Sequence, residues 1–230
     1  TVKEVFILAV MLSFSHNLFI ETAVALKVGV KLWVVLLVRL GLASISAIVI
    51  NLVWSGGSEI ATYGMAPKEV AVPDGWSEII LLGLQKASFG VVQLALIVIP
   101  LMVIIQYLKD RNYLQRFSEK LIPLTKVLGI APNASMTLVS GLVIGLAFGA
   151  GVMIQAVRED GVSKKDATLV FIFLVACHAI VEDTLIFIPL GIPILPLFLL
   201  RLFTAFVLTI VVATVWRRAE QTKQKEVFNS

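Results

Sequence analysis

The sequence predicts an all-α polytopic membrane protein. About five transmembrane helices and one re-entrant hairpin are organised around an inverted internal repeat that pairs residues 1–54 with 163–216. Three observations predict it. Of the 230 residues, 59% are hydrophobic, and the mean hydropathy is +0.98, above the roughly half-apolar usage of soluble domains. The apolar residues fall into runs long enough to cross a hydrocarbon core of about 30 Å. The sparse polar residues inside two of those runs recur in register at an offset of 162.

The first apolar segment, 4–27, holds the stretch SHNLFIETAV, which puts His16 and Glu21 at membrane depth. It has neither a basic leader nor a small-residue cleavage site, so it is expected to remain as a span rather than be removed as a signal peptide. The second segment, 31–54, carries Arg39 and ends at Trp54, an expected interface anchor. Residues 55–77 are rich in Gly, Pro and Ser and read as an extracytoplasmic loop. A third span covers 79–108. Residues 109–128 then mix charge with Tyr113, Leu114, Phe117, Leu121 and Leu124 at helical spacing, the pattern of a helix lying in the interface.

Residues 134–157 contain the Gly-rich run SGLVIGLAFGAGVMI. Two more spans follow at 166–188 and 192–216. The first holds CHAIVEDTLI, and the second carries Arg201 and ends at Trp216. The tail 217–230 is polar and basic and is expected to fray on the cytoplasmic side. Cys177 is the single cysteine, which excludes an internal disulfide. The segments between spans are short, leaving no room for a soluble catalytic domain. A net charge of +4 reports loop orientation here rather than a nucleic-acid partner.

At the offset of 162, His16 falls on His178, Glu21 on Asp183, Thr22 on Thr184, Gly29 on Gly191, Arg39 on Arg201 and Trp54 on Trp216. Lys3 meets Lys165 and Glu4 meets Asp166, and no gap is needed over 54 residues. Apolar matches between two greasy segments arise by chance, but this sparse polar set does not readily do so. Each copy is one segment with His and acid, then one segment with Arg. Internal duplications of this kind are characteristic of transporters.

Charge decides the relative orientation of the copies. If all six apolar segments cross, Lys and Arg outside the spans divide nine against seven. If 134–157 is a hairpin that returns to its own side, they divide fourteen against two, with Lys3 and Lys68 alone on the poor side. The second division obeys the positive-inside rule and makes the two copies antiparallel. Gly tolerates the tight tip a hairpin needs. The bland alternative is a straight helix in which Gly141, Gly145 and Gly149 form a close-packing face.

The run LIPLTKVLGIAPNASMTLVSGLVIGLAFGAGVMIQ, a polar loop, and then CHAIVEDTLIFIPLG together resemble the nucleoside-recognition, or Gate, domain family. Spore maturation proteins A and B belong there, and related segments occur in concentrative nucleoside transporters and the ferrous-iron permease. The resemblance spans about 84–191 and marks 78–191 as a Gate-like region. It implies that 134–157 is a re-entrant hairpin, as the similar part is in the nucleoside transporters. Their hairpin tip carries a Gln-Thr-Glu cluster that contacts substrate. Here the matching tip is Phe148, Gly149, Ala150 and Gly151, with no polar side chain. Where the spore maturation proteins have Thr-Glu-Thr-Thr, this chain has Glu182, Asp183 and Thr184.

The chemistry-bearing candidates are therefore His16, Glu21, His178, Glu182 and Asp183 as a substrate or ion site, with Arg39 and Arg201 as charge partners. An ionised side chain at mid-helix costs at least about 2.5 kcal/mol on insertion scales, so these residues should face protein or a cavity. Acid–Arg clamps holding each repeat together are one reading, and a transport site is another. A metal site is a third, with His16, His178 and Glu182 as ligands, since His178 and Glu182 stand four apart on one helix face. His16 and Glu21 lie about 140° apart around a continuous helix, so they converge only if the helix breaks near Ser15, His16 and Asn17.

The expected role is a permease or channel-like transporter for a small solute or ion in the prokaryotic inner membrane. The chain is expected to act as a homodimer in the lipid bilayer, with no cofactor, no nucleic acid and no enzymatic activity. The alternative is a non-transporting structural or assembly partner in a cell-envelope complex. The topology is directly testable. In a Cys177→Ser background, Arg116→Cys and Asp160→Cys should both label from the cytoplasmic side, and labelling from opposite sides would rule out the hairpin.

Overall fold

The computed structural model describes residues 1–61 and 75–228. Lys68 and most of the expected loop 55–77 lie outside them. The described chain is helical throughout: α1 (Val2–Ser15), α2 (Leu18–Lys27), α3 (Leu32–Val53), α4 (Trp76–Asp110), α5 (Tyr113–Val127), α6 (Ser135–Ile144), α7 (Ala150–Arg158), α8 (Lys164–Cys177), α9 (Ile180–Leu185) and α10 (Ile194–Phe228). Among the described residues, five stretches are long and apolar enough to cross a membrane: α1 with α2, α3, α4, α8 with α9, and α10.

The first and fourth crossings are broken helices, and they break at equivalent residues. His16 ends α1 in an extended conformation (φ −67°, ψ 162°), and Asn17 follows in the left-handed region (φ 51°). His178 ends α8 in the same way (φ −85°, ψ 162°), and Ala179 follows in the left-handed region (φ 40°). Asn enters that region with local polar help, whereas Ala meets the full steric cost of about 1–2 kcal/mol. The Ala179 conformation is held from outside, because its N–H donates to the Gly141 carbonyl at 3.0 Å.

The duplication extends to the helix starts. Thr1 caps α1 by accepting from the Glu4 N–H, and Ser163 caps α8 by accepting from the Asp166 N–H. The copies run antiparallel. Their midpoints touch at His16 and His178, while Gly29, just beyond the end of α2, packs beside the Lys164 side chain at the start of α8. Three crossings precede the second copy, which also inverts it.

Residues 134–157 form the hairpin. Helices α6 and α7 have 10 and 9 residues, or about 15 and 14 Å at 1.5 Å per residue, half of a bilayer core. The chain reverses over 145–149, with Gly145 at φ 95°. The turn sits slightly earlier than the tip expected from sequence: Phe148 and Gly149 are in it, while Ala150 and Gly151 already open α7. Gly149 is required by contact, since a Cβ there would lie 2.6 Å from the Gly145 carbonyl oxygen. Gly141 lets α6 press on α8, because a Cβ there would lie 2.1 Å from Leu174 Cδ1.

Helix α8 is the axis of the fold. Residues 167–177 are all buried, which explains a span that is apolar on every face. Helix α5 is amphipathic as expected, with Leu114, Ser118 and Thr125 turned inward. Helix α4 buries only Ile105, leaving its apolar surface for lipid. One expectation fails at the C-terminus. The tail does not fray over its described part, because α10 continues to Phe228. Glu220 on that extension pairs with Lys165 at 2.6 Å, an exposed contact worth at most about 1 kcal/mol.

The hairpin turn generates a paired prediction. Gly149→Ala forces a carbonyl to move and should destabilise by about 1–3 kcal/mol, the usual cost of overpacking. Gly151→Ala meets nothing within 4 Å and should raise stability by a few tenths to about 1 kcal/mol through helix propensity. Thermal unfolding of both variants in detergent checks this.

Candidate functional site

A helix that stops in mid-membrane leaves backbone groups without partners, and each one must be satisfied by protein. Here the freed carbonyls are those of the two histidines. Arg39 on α3 donates Nη2 to the His16 carbonyl and Nη1 to Glu21 Oε2. Arg201 on α10 donates Nη2 to the His178 carbonyl at 2.8 Å and to Asp183 Oδ2 at 2.9 Å. Its Nε also reaches the Ala176 carbonyl at 3.4 Å. Both guanidinium groups are fully buried. Each Arg therefore closes a break and neutralises the acid five residues after that break's His.

The imidazoles are fixed by the turn before each break. His16 Nδ1 lies 2.8 Å from the Leu12 carbonyl, and His178 Nδ1 lies 2.8 Å from the Leu174 carbonyl. A carbonyl only accepts, so Nδ1 carries the hydrogen, and Nε2 of a neutral ring presents its lone pair. The two Nε2 atoms face each other at 3.3 Å, with ring centroids 5.0 Å apart.

The carboxylates complete the cluster across the repeat boundary. Glu21 Oε1 lies 3.2 Å from His178 Nε2 and 3.7 Å from His16 Nε2. Asp183 lies 3.4 Å from His178 Nε2 and 3.9 Å from His16 Nε2. The ligand atoms of His16, Glu21 and His178 all lie within 4.8 Å of one another. The histidines differ in cover: the His16 side chain is 33% exposed and that of His178 is 2% exposed.

Four of the five expected side chains, His16, Glu21, His178 and Asp183, thus meet the two arginines at one point, and Glu182 does not. It makes no ion pair or hydrogen bond with either His or either Arg among the described residues. The reason is the break at Ala179. Spacing of four aligns two side chains only along a continuous helix, and His178 and Glu182 sit on different helices. The same physics brings Glu21 in, because the break at Asn17 removes the 140° separation. The expected set His16, His178 and Glu182 is replaced by His16, Glu21 and His178, with Asp183 beside them.

Sequence reasoning missed Gly141, whose carbonyl supports the second break. The closely spaced glycines of the hairpin carried a signal for close approach, but not for its target. Cys177 is buried beside the site, and its counterpart Ser15 bonds back to the Met11 carbonyl at 2.7 Å, as packing residues do. Gln155 turns outward to Glu159 at 2.9 Å rather than into the cluster.

Comparison with known proteins gives two findings. The Gate family, described as nucleoside recognition, matches residues 91–192. An uncharacterized membrane protein, YvoD of Bacillus subtilis (strain 168), is 62% identical over 218 residues, which cover 95% of this chain and 70% of YvoD. No solved structure matches. The Gate match includes the hairpin, His178 and Asp183, while His16, Glu21, Arg39 and Arg201 lie outside it.

The buried pairs generate a double-mutant prediction. Arg39→Ala strands the Glu21 charge and should cost about 3–5 kcal/mol. Adding Glu21→Ala should recover part of that loss, but not all, since the His16 carbonyl stays without its donor. Denaturation of the two single variants and the double variant measures the coupling, and strictly additive losses would mean that the pair contributes nothing.

Proposed function

The chain belongs to the Gate, or nucleoside-recognition, family of membrane proteins, and from that premise we propose that it is a permease or channel-like transporter for a small solute or ion in the cell membrane. The observation that carries this reading is the meeting of two broken helices at their histidines, with Nε2 facing Nε2 at 3.3 Å. Broken helices that converge near the bilayer midplane from inverted repeats are how many transporters build a binding site.

A purely structural clamp needs only the Arg, the acid and the carbonyl, and each repeat has all three without its imidazole. The rings add two lone pairs that point at one another and at two carboxylates. That arrangement is unfavourable until something electron-poor enters. Intramembrane ionisable groups gathered around such a point are the usual mark of a solute or ion path. His16, Glu21, His178 and Asp183 contact the cargo in this reading, and Arg39 and Arg201 hold the acids in place. The hairpin supports the second break through Gly141, and its tip offers no polar side chain.

A structural partner in an envelope complex is the competing reading, and flux separates the two. Proteoliposomes should be screened by counterflow with divalent metals, nucleosides and small carboxylates. At least one class should exchange faster than in protein-free liposomes. His16→Gln and His178→Gln should each return that exchange to the protein-free level while leaving a monodisperse, folded chain. Full flux in the doubly substituted protein would remove the histidines from the mechanism.

A further inference from the structure

The geometry points to a divalent first-row transition-metal cation as the cargo, seated between His16 Nε2, His178 Nε2 and Glu21 Oε1, with the Asp183 carboxylate alongside. This inference rests on the transport reading above and names its substrate class.

The spacing of the donors carries it. Metal–ligand bonds of 2.0–2.2 Å set the edges of a tetrahedral ligand shell at about 3.3–3.6 Å. The His16–His178, Glu21–His178 and Glu21–His16 separations are 3.3, 3.2 and 3.7 Å. These three donors therefore form one face of a tetrahedron with edges close to the required length, and the fourth position is left for water or an incoming ligand. Asp183 stands beside that face, with Oδ2 3.4 Å from His178 Nε2 and Oδ1 3.9 Å from His16 Nε2.

The donor set selects the class of ion. Two imidazoles with carboxylates suit zinc, iron, manganese, cobalt and nickel. Calcium takes oxygen ligands throughout, and magnesium keeps much of its water, so neither matches two converging imidazoles. No thiolate belongs to the cluster, so it carries no preference for a soft ion such as Cu(I).

Outer contacts are also in place. Each ring's Nδ1–H is anchored on a carbonyl, which fixes the tautomer that leaves Nε2 free to bind. Each carboxylate is oriented by a buried Arg. Those two arginines balance the two acids, so the ion enters a site with no net negative charge to trap it. Balance of that kind favours weak, reversible occupancy, which a conducted ion needs and a resident structural ion does not.

The test uses the full chain in detergent and in liposomes, with Co2+ as the probe. One Co2+ per chain should give the visible absorption of a four-coordinate site. Zn2+ should displace it, and Mg2+ and Ca2+ should not. The absorption should vanish in His16→Gln and His178→Gln and persist in Glu182→Gln. Liposomes holding a divalent-metal indicator should fill with Co2+ only when they contain the protein.

Absence of any Co2+ or Zn2+ binding to the unmodified chain overturns the inference without reliance on variants that could misfold. If another solute is exchanged in that case, the transport reading survives alone. Binding without flux of any solute overturns the assignment as cargo and the transport reading together, leaving a resident metal site. Binding that persists in both His variants also overturns it, since the ion then sits elsewhere.

Discussion

Two backbone carbonyls, those of His16 and His178, set the terms for the rest of the molecule. Each is released where a membrane helix stops, and neither can turn to water. Each is met by a buried Arg from the following span. A buried Arg requires an acid, and the acid stands five residues after the break, on the short helix that resumes there. Placing that acid beyond the break swings it toward the opposite repeat. The meeting of histidines and carboxylates follows from satisfying a carbonyl in a medium without water.

The second copy needs more support than the first. Asn17 supplies the left-handed residue in the first break, while Ala179 has no side chain to help and depends on the Gly141 carbonyl. The Gly-rich hairpin therefore braces the broken α8–α9 crossing from the side. That explains why α6 carries no side chain at 141, where Leu174 of α8 fills the space. The brace and the break are one mechanical unit, and both fall within the segment that matches the Gate family.

Much of this was readable in the sequence, because membrane segments admit few polar residues and each one therefore carries weight. The register of His, acid, Arg and Trp exposed the duplication, and the distribution of Lys and Arg exposed the hairpin. The breaks were harder. Asn17 permits a left-handed residue without requiring one, and nothing local marks Ala179, whose conformation is imposed by a carbonyl 38 residues upstream. Glu182 was misjudged for the same reason, since helical spacing across an unseen break misplaces every side chain beyond it. The tail was misjudged because a polar, basic stretch does not reveal its partner, and the Lys165–Glu220 pair became visible only in three dimensions.

The unequal cover of the two histidines breaks the symmetry of the repeat at its centre. The two inverted copies present equivalent side chains unequally: His16 of the first is partly open and His178 of the second is closed. Around the rings only His16 and His178, and Thr22 and Thr184, are identical between residues 13–22 and 175–184, so the two halves meet at a shared pair of imidazoles set in two different linings.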